Sequence, residues 1–219
     1  AQRLALMLQN QTEEEFADSR FQVLSELTRL RQLCCDPALV YENYEGGSAK
    51  LDLCIELIQS AVESGHKILL FSQFTSMIEI LTARLQEESI SYFVLQGSTK
   101  KEQRAQMVEQ FNRDDTSVFC ISLKAGGTGL NLTGADIVIH YDPWWNVAVE
   151  NQATDRAHRI GQKNVVTVYK LIAKGTIEEK IIKLQQRKKE LAEEILSGDE
   201  IKTASFQREE LLELLEERF

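Results

Sequence analysis

Two arginines in the last third of the sequence could do chemistry on a phosphate. Arg156 and Arg159 occur in the stretch "QATDRAHRIGQ". If residues 147–159 form a helix, both arginines and Gln152 lie on one face, because positions i, i+4 and i+7 share a face. Adjacent guanidinium groups repel each other unless an anion lies between them. A local ion pair of Asp155 with Arg159 would provide that anion, and so would a phosphate that gains charge in a transition state. Spacing alone leaves both interpretations open.

A glycine-rich stretch, "LKAGGTGLNLTG" at 123–134, follows the apolar run "VFCI". Glycines at positive φ allow backbone N–H groups to approach an anion, and a turn after a parallel strand lies where α/β sheets bind ligands. The stretch is neither G-x-x-x-x-G-K-[ST] nor G-x-G-x-x-G, and the chain contains no P-loop sequence. A tight turn that only packs is the competing interpretation, although Lys124 favours contact with an anion.

Three weaker patterns also end apolar runs. "FSQF" (71–74) and "QGST" (96–99) place small polar residues where a strand would lead into a helix. Such junctions can hold phosphates, but Ser and Thr are also ordinary helix caps. "YDPWWN" (141–146) contains Trp144 and Trp145, which could stack on a nucleic acid or seal a helix against a sheet.

Composition limits the class of protein. The net charge of −9 argues against a generic nucleic-acid binder, although Lys and Arg are as frequent as Asp and Glu in residues 97–163. No apolar run approaches the ~20 residues of a membrane span. The four cysteines form no C-x-x-C pair, so a reducing, intracellular setting is expected and a structural zinc site is not. Because the sequence begins on Ala1, we expect a piece of a longer protein.

Short apolar runs alternate with helical patterns, which predicts a parallel α/β sheet. The runs are rich in β-branched and aromatic residues, as is typical of strands buried on both faces. They lie at 67–71, 92–95, 118–121, 136–141 and 165–169.

Capping boxes mark where three of the helices begin, at Thr12, Thr99 and Thr176. The apolar periodicity predicts helices over 12–35, 51–63, 147–159, 176–195 and 207–217, with a break at 197–200. The predicted domains are a helical lead-in (1–47), the sheet domain (48–172) and a C-terminal brace with an acidic tail helix (173–219).

Taken in order, four stretches resemble one family. "KILLFSQF", "LQGSTKKEQRAQMVEQFN", "SLKAGGTGLNLTGADIVIHYDPWWN" and "QATDRAHRIGQ" are similar to the motifs of the second RecA-like lobe of SWI/SNF-type helicase-like ATPases, in helicase superfamily two. The resemblance covers roughly residues 23–190 and implies a RecA-like, P-loop NTPase-type sheet with helical extensions. The family usually has Pro where this chain has Val147, so we expect a slightly altered loop there.

The resemblance implies roles for individual residues. Arg156 and Arg159 match the arginine fingers, and Gln152 matches a residue that positions the nucleotide. The positions that line the nucleotide cleft are Gly127, Gly129 and Asn131. The positions near the DNA are Ser72, Gln73, Ser98, Thr99, Ser122, Lys124 and Trp145. This interpretation requires both guanidinium groups to project from one helical edge into a cleft that a missing partner completes.

The resemblance also implies cofactors and partners. ATP and Mg would be bound mainly by the N-terminal RecA-like lobe of the same polypeptide, so this chain should not hydrolyse ATP alone. Double-stranded DNA is the expected track, a displaced DNA-bound protein is a further candidate partner, and no membrane is involved. The setting would be the bacterial cytoplasm or, in a eukaryote, the nucleus. The alternatives are a freestanding nucleotide-binding α/β domain and a non-catalytic protein-interaction domain.

Overall fold

The computed structural model describes residues 12–123, 125, 129–158, 162, 164–195, 211–212 and 214. The chain divides into two compact units, one made of residues 1–34 and 173–219 and the other of residues 35–172. The second unit contains the whole sheet. Residues 35–47, which the sequence analysis assigns to the helical lead-in, belong to this second unit.

The second unit is built on a five-stranded parallel sheet, so the predicted fold class is confirmed. The strands follow the order β2-β3-β1-β4-β5 across the sheet. They are β1 (Ile68–Ser72), β2 (Tyr92–Leu95), β3 (Val118–Ser122), β4 (Ile137–His140) and β5 (Thr167–Lys170). The helices of this unit are α2 (Ala49–Glu63), α3 (Thr75–Glu87), α4 (Lys101–Phe111) and α5 (Val147–Thr154), and a 3₁₀ turn spans Pro37–Leu39.

The core lies on both faces of the sheet because successive strand residues point to opposite sides. Ile68 and Leu70 of β1 pack into a cluster with α2 and α3. Leu69 and Phe71 pack into the other cluster, which includes Phe111 of α4. β1, β3 and β4 are buried along their whole length, which explains why their sequences are continuous apolar runs.

Strand β5 differs from its prediction. All four of its residues are exposed, and Val165 just before it is 89% exposed. The reason is its place in the sheet, because β5 is an edge strand that pairs only with β4. The expectation that this run is buried on both faces is therefore wrong.

Three predicted helix starts can be compared with the hydrogen bonds. Thr12 and Glu15 form a reciprocal capping box at the start of α1 (Glu13–Cys35), with N–H···O distances of 2.8 and 3.3 Å. The box predicted at Thr99 is wrong, because the Thr99 hydroxyl accepts from the Gln96 N–H at 3.1 Å. Helix α4 begins after Lys100 without a side-chain cap.

Helix α6 (Ile177–Ile195) begins as predicted at Thr176, whose hydroxyl accepts from the Glu178 N–H at 3.2 Å. The break predicted at 197–200 and most of the predicted helix 207–217 lie outside the described residues. Across the described part of the chain, no helix is long and apolar enough to cross a membrane.

We predict that Phe111→Ala lowers the free energy of unfolding by about 3–5 kcal/mol. Phe111 is fully buried, and its ring lies 5.2 Å from that of Phe119, so truncation leaves a cavity. Phe21→Ala is the control, because Phe21 is 85% exposed and should change the value by no more than about 0.5 kcal/mol. Urea unfolding measures both, and equal losses would contradict the assignment of Phe111 to the core.

Candidate functional site

The carboxyl ends of β1, β3 and β4 bring three loops to one edge of the sheet. Ser72 pairs with Ser122 at the end of the β1–β3 ladder. The ladder continues beyond the strands, because the Leu123 N–H donates to the Ser72 carbonyl at 3.0 Å and the Tyr141 N–H donates to the Phe71 carbonyl at 2.9 Å. The loops that follow the three strands therefore start at fixed positions side by side, where parallel sheets bind ligands.

The loop after β1 is held by a buried carboxylate that the sequence analysis did not identify. Ser72 is fully buried, and its hydroxyl lies 2.6 Å from Oδ1 of Asp142, which is 1% exposed. The Gln73 N–H donates to the same carboxylate at 3.3 Å. This geometry contradicts a direct phosphate contact by the Ser72 hydroxyl, because that hydroxyl is inside and already bonded. The Gln73 side chain is half-buried, and its contact with DNA stays a prediction.

The other predicted DNA-contacting residues differ in accessibility. Ser122 is 3% exposed and accepts from the Ala125 N–H at 3.3 Å, so its hydroxyl also serves the turn. Ser98 is exposed, whereas Thr99 and Trp145 are half-buried. Lys124 lies outside the described residues.

Arg104 of α4 organises two of these loops. Its guanidinium donates to the carbonyls of Thr99 (2.8 Å), Gly97 (3.1 Å) and Gln96 (3.2 Å), and to that of Ala125 (3.4 Å) after β3. A planar fork with five N–H groups can serve several carbonyls at once. The loops after β2 and β3 are thereby tied to one side chain.

Asn112 plays the same part for the glycine-rich stretch. Its amide donates to the Asn131 carbonyl at 2.8 Å and accepts from the Gly134 N–H at 2.9 Å. A Cβ at Gly134 would lie 3.1 Å from the Cα of Asn112, a tight contact that favours glycine at this position. Gly129 and Asn131 are exposed, and Gly127 lies outside the described residues.

The predicted helix 147–159 is correct at its start and wrong at its end. It begins at Val147, where the Asn146 side chain accepts from the Ala148 N–H at 2.9 Å. It ends at Thr154, after which the N–H groups of Arg156 and Ala157 donate to carbonyls three residues back, at 3.3 and 3.1 Å. The Leu132 N–H donates to the Arg156 carbonyl at 3.1 Å and so ties this turn to the glycine-rich stretch.

Because the helix ends before Arg156, Gln152 and Arg156 do not lie on one helical face as predicted. Gln152 is exposed on α5, but the Arg156 side chain is 1% exposed. The expectation that both guanidinium groups project into an open cleft is therefore wrong for Arg156, because it lies in a turn that packs inward with Ala157. Arg159 lies outside the described residues.

The side chain of Gln162 connects the turn after α5 (residues 155–158) with the glycine-rich stretch. Its side-chain amide donates to the carbonyls of Ala135 (2.7 Å), Thr133 (3.2 Å) and Ala157 (3.2 Å). The two stretches that the sequence analysis connects with the nucleotide are thus in contact through backbone groups.

His140 at the end of β4 is a buried neutral group beside this turn. Its Nε2 lies 3.0 Å from the Thr154 hydroxyl. Burial lowers the pKa of His140 to about 4; nearby Glu150 opposes this shift and Lys170 adds to it. Among the described residues, no three His, Cys, Asp or Glu side chains are grouped so that they could hold a metal ion.

A five-stranded parallel sheet with this strand order and with polar loops at its carboxyl edge has the architecture of a RecA-like lobe. The model of the helicase conserved C-terminal domain matches residues 49–161. The SWI2/SNF2 ATPase C-terminal domain of Sulfolobus solfataricus is 33% identical, with a TM-score of 0.69 over 89% of this chain and 81% of that one. The chain therefore belongs to the helicase C-terminal domain family and, within it, to the SWI2/SNF2 ATPases.

Two longer proteins extend the comparison. The Sulfolobus solfataricus SWI2/SNF2 ATPase core, solved in complex with double-stranded DNA, is 34% identical, with a TM-score of 0.73 over 95% of this chain and 44% of that one. A Mycoplasma pneumoniae protein named an uncharacterized ATP-dependent helicase is 45% identical over 202 residues, which is 90% of this chain and 19% of the relative. The chain thus spans about a fifth of the length of such relatives.

We predict that Arg104→Lys lowers the free energy of unfolding by about 1–3 kcal/mol, because one ammonium group cannot serve carbonyls on two loops. Faster hydrogen exchange of amides in residues 96–99 should accompany the loss. Arg113→Lys is the control, because Arg113 is 78% exposed and forms an ion pair with Glu109 on the preceding turn. Unchanged exchange in Arg104→Lys would contradict the role of this side chain.

We predict that, because of His140, the free energy of unfolding decreases as the pH is lowered from about 6.5 to about 4. Above pH 6.5 both states are neutral; below it the unfolded chain takes up a proton that the folded state excludes. Relative to His140→Gln, the natural chain should lose about 1–2 kcal/mol more of its free energy of unfolding between pH 7 and 5. Urea unfolding at both pH values measures this difference, and parallel pH profiles would contradict the burial of a neutral His140.

Proposed function

We propose that this chain is the C-terminal lobe of an ATP-dependent translocase that moves on double-stranded DNA. The observation that carries the proposal is its similarity, over nearly its whole length, to a SWI2/SNF2 ATPase core that was solved with double-stranded DNA. The similarity to a protein named an ATP-dependent helicase supports the use of ATP.

In this proposal the chain supplies half of a catalytic cleft. ATP and Mg are held mainly by the N-terminal RecA-like lobe of a longer polypeptide, and closure brings Arg159 to the γ-phosphate. Gln152, Gly129 and Asn131 are exposed and are available at the cleft, together with the sequence-assigned Gly127. An arginine at this position stabilises charge that develops in phosphoryl transfer.

Arg156 is less suited than Arg159 to a direct contact with the nucleotide. Its side chain is 1% exposed, so contact between its guanidinium and a nucleotide requires a change of conformation in the turn after α5. The Arg156 carbonyl already holds that turn to Leu132. Arg159 is therefore the better residue for a direct test.

The DNA-facing side of the proposal rests on the loops at the carboxyl edge. Ser98 is exposed, Gln73, Thr99 and Trp145 are half-buried, and Lys124 adds a positive charge nearby in sequence. Hydroxyl, amide and ammonium groups contact phosphates without reading bases. Such tracking should be independent of DNA sequence and weaken as salt rises. A DNA-bound protein that the translocase displaces would be a further partner.

We predict that Arg159→Ala in the two-lobed protein lowers DNA-stimulated ATP turnover by about 10³-fold or more, because the transition-state charge loses its partner. Steady-state phosphate release with and without duplex DNA measures the effect. Arg113→Ala is the control, because that exposed arginine lies in a local ion pair, and its turnover should match the natural protein. Near-normal turnover by Arg159→Ala would sink the proposed role.

A further inference from the structure

Glu150, in the first turn of α5, is a buried carboxylate with partners on two other segments. It is 1% exposed. Its Oε1 accepts from the backbone N–H of Trp144 at 2.6 Å, and its Oε2 lies 2.5 Å from Nζ of Lys170 on β5. One side chain thus joins the tryptophan loop, the helix that leads toward the arginines and the edge strand.

The two bonds hold this carboxylate in one place. Hydrogen bonds to an ionised group are short and about twice as strong as neutral ones. The first turn of a helix also favours negative charge. The Lys170 side chain is 39% exposed, whereas the Glu150 side chain is 1% exposed, so the bridge lies at the boundary between the core and the solvent. Loss of the carboxylate would leave the Trp144 N–H without this bond.

We propose that Glu150 is the positioning residue of the loop that carries Trp144 and Trp145. It fixes the backbone at Trp144, which in turn sets the direction of Trp145, the tryptophan assigned to DNA. The inference rests on the proposed function for its DNA readout, but the positioning of the loop is a property of this chain alone. Glu150 is not a catalytic residue, because it acts through the loop.

The competing explanation is that Glu150 only stabilises α5. Asn146 separates the two explanations, because its side chain caps the same helix by accepting from the Ala148 N–H and has no part in the bridge between Glu150 and Lys170. Asn146→Ala should cost stability in the range that is typical of a lost helix cap. A purely structural role for Glu150 would give both variants the same effects at equal stability.

The first measurement uses intrinsic fluorescence. The chain contains two tryptophans, and both lie in this loop, so emission and acrylamide quenching report on the loop directly. We expect Glu150→Ala to raise the quenching constant about twofold or more, Glu150→Gln to fall between Glu150→Ala and the natural chain, and Asn146→Ala to match the natural chain. Glu150→Gln retains one acceptor oxygen and serves as the gentler variant if Glu150→Ala does not fold.

The second measurement uses ATP turnover of the two-lobed protein at increasing concentrations of duplex DNA. The DNA concentration that gives half-maximal stimulation should rise about tenfold in Glu150→Ala, because Trp145 is no longer held in position against the DNA; a tenfold change corresponds to about 1.4 kcal/mol. This rise should exceed any fall in the maximal rate. Asn146→Ala should leave the half-maximal concentration unchanged.

Three results would overturn the inference. One is a quenching constant that no Glu150 variant changes. The second is an equal change in Asn146→Ala at matched stability. The third is a raised quenching constant in Glu150→Ala together with an unchanged half-maximal DNA concentration. If DNA does not stimulate the natural two-lobed protein, the proposed function fails instead, and quenching alone still decides whether Glu150 positions the loop.

Discussion

The parallel register of β1, β3 and β4 is the constraint on which the candidate site depends. Because the three strands run in the same direction and are buried along their whole length, their loops leave the sheet at one edge. Antiparallel neighbours would send alternate loops to opposite edges. The hydrogen bonds from Leu123 to Ser72 and from Tyr141 to Phe71 continue the ladder into the loops, so the start of each loop is set by the core.

A second layer of polar side chains then fixes the loops themselves. Asp142, Arg104 and Glu150 bond to backbone groups of loops at this edge. Asn112 and Gln162 bond to the glycine-rich stretch where it returns to the start of β4. Buried backbone polar groups must be satisfied, and irregular loops cannot satisfy each other as strands do. The residues that shape the edge are therefore mostly different from those that were expected to touch ligands.

The sequence predicted the elements better than their surroundings. Apolar runs identified all five strands and the parallel sheet; the runs of β1, β3 and β4 are continuous because a strand buried on both faces needs apolar residues throughout. They did not identify β2 and β5 as the two edge strands, since these runs resemble the others and strand order is not local information. The inward turn after α5 was missed because the bond that holds it, from the Leu132 N–H to the Arg156 carbonyl, joins residues distant in sequence. Arg104 and Asn112 lie in the stretch 95–112, which resembles a family motif, yet their partners are backbone groups of other loops.

The burial of Arg156 affects how mutations of this region should be interpreted. The Arg156 side chain is 1% exposed, and removing such a side chain disturbs the packing and the bonds of its neighbours. Because its carbonyl ties the turn to Leu132, a change in this turn also reaches the glycine-rich stretch. Loss of activity in an Arg156 variant would therefore not identify a contact with the nucleotide. The assignment of the chain to the SWI2/SNF2 ATPases does not depend on that contact, since it rests on the whole sheet and its loops.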